Sequence, residues 1–167
     1  MERLTRTLFH MSANNQFMTL VFAELDLQAG KLIYSNAGHH YPLHYRARTG
    51  TFEDLESTGM PLGLLEVSAG PFNERDLDPG DVLVLYSDGV VEATDSDDGM
   101  FGTERLGEVV LAQLGRPAKT VIEAIFEAVK VFTEGRPLDD DATVVIVRVL
   151  ADEDAQEAID VDVAKPE

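Results

Sequence analysis

The chain has 167 residues, 44% of them hydrophobic, which is enough for one domain with a buried core and too little for two. A formal net charge of −18, from 31 acidic and 13 basic residues, disfavours nonspecific binding to nucleic acid or to anionic membranes, so neither is expected as a partner. There is no cysteine to form a disulfide or thiolate metal site, and no apolar run approaches the ~20 residues of a membrane span; the expectation is a soluble, cytoplasmic protein.

Met1, Leu4, Leu8 and Met11 recur at helical spacing and predict an amphipathic helix ending near "SANN", with no capping residue before it. "FMTLVFAELDL" (17–27) is apolar on both alternating faces at its centre, which predicts a strand covered on each side. "QAGK" then turns into "KLIYSNAG", a hairpin with Gly30 available for positive φ. "RTG" between "YPLHYRA" and "TFEDLE" predicts a second hairpin, and "DPG" between "FNERDL" and "DVLVLYS" a third. "GMPLGLL" is expected to be a shaped loop.

Two helices follow. Thr103 is the expected cap of 104–114, with Leu106, Val109, Val110 and Leu114 on one face. Pro117 suits the first turn of the next, with Ile122, Ile125, Val129 and Phe132 inward and Gly135 terminating it. "ATVVIVRVL" (142–150) is a β-branched strand suited to the middle of a sheet. Residues 151–167 carry Asp152, Glu153, Asp154, Glu157, Asp160, Asp162 and Glu167 against Lys165, which predicts a disordered acidic tail. Repeated hairpins followed by helices define an α+β class.

Two carboxylate sites sit at the edges of apolar strands: Asp88 after "DVLVLYS", and "LDDDAT" (138–143) leading into "VVIVRVL". If both strands are central in one sheet their tips converge, and aspartates there suit a hard divalent cation such as Mg²⁺ or Mn²⁺. Taken alone, each motif is better explained as an ordinary turn or solvated loop. "DSDDG" (95–99) departs from a calcium loop at its fifth, sixth and twelfth positions and reads as a polar surface loop. His39 and His40 alternate across a strand and cannot both face one ion.

In order, "QFMTLVFAELDLQAGKLIYSNAGHHYPLHYR", "GMPLGLL", "LDPGDVLVLYSDGVVEATDSDDGMFGTERL" and "LDDDATVVIVRV" resemble the bacterial PPM-type serine phosphatases of the stage II sporulation protein E class. The resemblance implies an antiparallel β-sandwich flanked by helices, an α-β-β-α fold. It also implies hydrolysis of phosphoserine or phosphothreonine on a regulatory protein such as an anti-sigma-factor antagonist. Two Mn²⁺ or Mg²⁺ ions in that family share a water that attacks phosphorus. Asp88 in "SDGV" and Asp140 in "DDAT" match its metal-ligand aspartates, although three adjacent acids leave an assignment shifted by one open. Gly89 is implied to let the backbone approach closely or turn sharply at the site, a packing role and not a ligand role.

The family's earlier acidic residue and Asp-Gly motif have no match here, so 1–150 is expected to be a partial, N-terminally truncated phosphatase domain holding about its C-terminal two thirds. Weak metal binding and low activity are the expectation for these residues alone. The alternative is a non-catalytic phosphatase-fold module for protein association, including a homodimer, through sheet edges left exposed.

Overall fold

A computed structural model describes residues 17–65, 70–150 and 159–165, together with Arg6, Thr7 and His10. Those three N-terminal residues are helical; Met1, Leu4, Leu8 and Met11, which carry the expected helix, lie outside the described residues. In chain order the elements are β1 (Leu20–Asp26), β2 (Lys31–Ala37), β3 (Leu43–Arg46), β4 (Thr51–Asp54), β5 (Asn73–Asp76), β6 (Val82–Tyr86), α1 (Asp88–Val91), α2 (Gly102–Ala112), α3 (Ala118–Phe132), β7 (Val144–Val149) and β8 (Ile159–Ala164). The chain divides into two units, Met1–Tyr41 with Asp54–Leu77, and Pro42–Glu53 with Asp78–Glu167.

The first unit holds a three-stranded sheet in the order β1-β2-β5. The first predicted hairpin is present, antiparallel from Leu20↔Ala37 to Asp26↔Lys31. Its turn is closed by the Asp26 carboxylate, which accepts the Gln28 and Ala29 amides at 3.1 and 2.9 Å. β1 is not covered on each side as its composition suggests: among the described residues it pairs with β2 alone, its residues are half-buried or exposed, and Phe22 is 39% exposed. An edge position leaves apolar residues at the rim. β2 is the buried strand, with Leu32 and Tyr34 fully enclosed.

Asn36 and Gly38 account for "NAGH". The Asn36 amide donates to the His39 and Leu55 carbonyls and accepts from the His39 amide. Gly38 has φ +70°, and a Cβ there would lie 2.6 Å from Pro61 Cγ, so the glycine admits the proline of "GMPLG".

The second unit holds a five-stranded sheet in the order β4-β3-β6-β7-β8. The "RTG" hairpin is present, with the Gly50 amide bonded to the Arg46 carbonyl. β6 and β7 are central neighbours, antiparallel from Val82↔Arg148 to Tyr86↔Val144. Val82, Val84 and Tyr86 alternate toward one face, joined by Val144 and Ile146 of β7, and pack with Leu106 and Val110 of α2 and Ile122, Ile125 and Val129 of α3. Gly135 closes α3 at φ +73°, its amide bonded to the Lys130 carbonyl. Helix α2 begins at Gly102, so that the expected cap Thr103 lies inside its first turn, and Leu114 falls outside it, 38% exposed.

Two further expectations fail. "DPG" does not join a hairpin, because β5 pairs with β2 whereas β6 pairs with β3 and β7. It is instead a turn, Asp81 N–H to Asp78 C=O with Gly80 at φ +91°, that carries the chain from one sheet to the other. Within the expected acidic tail, residues 159–164 form β8 on β7; 151–158 lie outside the described residues. The strand is held through one face, where Asp160 is paired opposite Arg148 and Ala164 packs on the core, while Val161 and Val163 alternate outward and stay exposed. Asp160 also accepts the Ala118 amide at the start of α3, at 2.7 Å.

At the start of β6, Asp81 is fully buried and accepts from His44 Nε2 at 2.9 Å and from the Ala47 and Asp78 amides. Arg46 Nε lies 3.4 Å from the same carboxylate, and Arg46 Nη2 bonds Asp78 at 2.8 Å. His44 Nδ1 is buried without a partner, and burial, outweighing Asp81, pulls the imidazole below its ordinary value of 6.5. A depressed pKa means the folded state binds the proton less readily than the unfolded chain. The stability from neutral His44 is therefore complete above pH 6.5 and lost as pH falls through the lower folded value. Thermal melts between pH 7.5 and 5.5, followed by circular dichroism, are expected to fall more steeply for the native chain than for His44→Gln. Equal slopes would remove His44 as a cause.

Candidate metal centre

The β6–β7 pair runs out of backbone ladder at the rung from Ser87 N–H to Thr143 C=O, 3.0 Å. Beyond it the Ser87 side chain takes over. Its hydroxyl donates to the Asp141 carbonyl at 2.7 Å and accepts the Thr143 amide at 2.8 Å, so a single oxygen spans both sides of Ala142. The chain then enters α1, where Val90 and Val91 are buried in the core while Asp88 stays exposed. The apolar pair after Asp-Gly is thus one helical turn and not a resumed strand, a local feature that the sequence pattern does not predict.

Gly89 seals the junction. A Cβ there would sit 2.8 Å from the Asp141 carbonyl oxygen and 2.9 Å from that of Asp140, closer than real Cβ contacts allow and against backbone that cannot swing away. The expected close approach at Gly89 is therefore present, and its partner is the "DDAT" segment itself. The structure brings the backbones around Asp88 and Asp140 to one end of the sheet.

Both carboxylates are exposed. Asp88 Oδ1 accepts the Gly89 amide at 3.0 Å and Asp140 Oδ1 accepts the Asp141 amide at 2.7 Å, and neither forms a salt bridge among the described residues. Oxygen-only donors on rigid supports fit a hard divalent cation. Among the described residues no group of three or more His, Cys, Asp or Glu side chains is arranged to hold a metal ion, so this part of the chain offers two carboxylates and not a closed shell. A groove of about 890 Å³ opens beside Asp140 and Asp141, walled by Phe126, Lys130, Leu138 and Asp162.

The remaining candidates are structural. The Asp95 carboxylate accepts the Asp97 and Gly99 amides at 3.0 and 2.8 Å, so "DSDDG" folds on its own aspartate as a polar loop. His39 is held by Asn36 and lies 3.2 Å from Thr19 Oγ1 through Nδ1. Ser87 is the residue that sequence reasoning misses. No pattern within "YSDG" marks it, because its bonds go to backbone atoms of the partner segment.

The fold, with carboxylates at the tips of adjacent central strands, is that of a PP2C-type phosphatase domain. The SiaA PP2C domain of Pseudomonas aeruginosa is similar with a TM-score of 0.70 at 18% identity, over 85% of this chain and 56% of that one. A structure of the SpoIIE phosphatase domain from Bacillus subtilis, presoaked with Mn, is similar with a TM-score of 0.64 at 15% identity, over 91% and 74%. Residues 1–150 match the family model of Stage II sporulation protein E (SpoIIE), and the chain belongs to that family. Among curated relatives, Protein IcfG of Synechocystis is 33% identical over 78% of this chain, and phosphoserine phosphatase RsbU of Bacillus subtilis 26% over 80%. The chain spans 20% and 39% of those two proteins. No helix among the described residues is long and apolar enough to cross a membrane.

Replacing Gly89 with Ala is expected to destabilise the chain by about 1–3 kcal/mol, the usual range for overpacking, as measured by urea unfolding. An unchanged midpoint would show that the two tips are not in contact.

Proposed function

We propose that this chain is part of a metal-dependent protein phosphatase that removes phosphate from phosphoserine or phosphothreonine of a bacterial regulatory protein. An anti-sigma-factor antagonist is the kind of substrate the family suggests. The observation that carries this reading is that Asp88 and Asp140 are exposed carboxylates without a salt bridge among the described residues, just beyond the ends of adjacent central strands whose tips are locked together. The relatives named phosphoserine phosphatases support the reaction class, and the Mn-presoaked SpoIIE structure supports the cofactor.

Asp88 and Asp140 would hold Mn²⁺ or Mg²⁺, which when bound supplies Lewis acidity against the phosphate charge and makes water a stronger nucleophile near neutral pH. The chain's own part is positional. The β6–β7 ladder sets the separation of the two aspartates, and Gly89 keeps their backbones in contact.

Phosphate release from a phosphoserine peptide is expected to require Mn²⁺ or Mg²⁺ and to stop on chelation. It should fall to background in Asp88→Asn and in Asp140→Asn, and persist in Asp139→Asn. A rate that survives Asp88→Asn would overturn the site, and loss in Asp139→Asn with survival in Asp140→Asn would shift the ligand by one residue.

A further inference from the structure

We propose that Ser87 is a positioning residue for the metal carboxylates, setting the cation affinity of the site through its hydroxyl; this rests on Asp88 and Asp140 being ligands. The ordinary ladder between β6 and β7 stops at the Ser87–Thr143 rung, while Asp88 and Asp140 lie one and three residues beyond that rung, outside both strands. Without another tie, each tip would be a loop end with its own freedom. The Ser87 hydroxyl supplies that tie by acting as donor to the Asp141 carbonyl and acceptor from the Thr143 amide at once. Both of its hydrogen-bonding roles are therefore used across the strand pair.

The geometry places the clasp where it acts on both aspartates. Ser87 is covalently adjacent to Asp88, and the carbonyl it holds belongs to the residue after Asp140. Gly89 presses on the carbonyls of Asp140 and Asp141 from the other side of Asp88, so that Asp88 stands between two points fixed to the opposing segment. Residues that orient ligands without touching the ion typically change affinity by about 10–100-fold when removed. The hydroxyl is the required feature. Threonine carries it, while valine has threonine's shape without it.

The test is a Mn²⁺ titration of the ¹⁵N-labelled chain followed by NMR, in which paramagnetic broadening of the Gly89 and Asp141 amides reports occupancy without turnover. The native chain should broaden selectively at these amides, and Asp88→Asn should not. Ser87→Ala and Ser87→Val should need about 10-fold or more Mn²⁺ for the same broadening, whereas Ser87→Thr should titrate close to the native chain. If Ser87→Val and Ser87→Thr titrate alike while Asp88→Asn loses the effect, the positioning role is overturned and the ligand assignment stands. Absence of selective broadening in the native chain would overturn the ligand assignment and the positioning role with it. Loss of the folded spectrum in both Ser87→Ala and Ser87→Val would assign the hydroxyl to folding and overturn the proposal.

Discussion

The antiparallel pairing of β6 with β7 is the constraint on which the second unit depends. Its two strands have neighbours on both sides, and apart from Arg148, which is paired with Asp160, their helix-facing residues are apolar, so the register cannot slip by one without turning Val82, Val84, Val144 and Ile146 away from the helices. That fixed register is what delivers "SDG" and "DDAT" to the same end of the sheet. Aspartates on flexible loops would have to be ordered each time a cation bound; here the ordering is completed by folding.

The opposite end of β6 is secured by different means. Asp81 is buried with His44 and Arg46, and its carboxylate also accepts two backbone amides. Removing one member of such a group exposes the others to a low-dielectric interior without compensation, which makes the arrangement costly to break even where its net contribution to stability is small. The "PGD" phrase therefore encodes a turn and a buried anchor. One strand thus carries a buried aspartate at its start and an exposed one just beyond its end, and their environments assign them different work.

Much of this was legible in the sequence. The first two hairpins, β7 and the inward face of α3 follow from turn chemistry and periodicity, because in each case the local pattern agrees with the tertiary neighbours. The third hairpin was not legible, since "DPG" specifies a reversal of direction without specifying which sheet receives the next strand. β8 was hidden by composition: a window rich in acids reads as tail, although Asp160 is engaged by Arg148 and the α3 amide while the valines alternate. For the site, Asp88 and Asp140 could be nominated from their places beside apolar strands. Ser87 could not, because its role depends on atoms of the partner strand that no spacing within "YSDG" reveals.

The acids of the chain separate by one physical criterion. Asp26 and Asp95 each close a turn by accepting two amides, Asp78 and Asp81 hold arginine and histidine, and Asp160 caps a helix. The glycines follow suit: Gly38 admits Pro61, Gly80 makes a turn and Gly89 admits a carbonyl pair. Nearly every part of the signature has a mechanical reason in the backbone. Asp88 and Asp140 lack one, since among the described residues each bonds only the amide next to it and faces solvent from a rigid support. In a chain of net charge −18, two more exposed carboxylates at one end of the sheet add repulsion and no packing. A bound cation would reverse the sign of that contribution, which is the physical ground for the metal-site proposal.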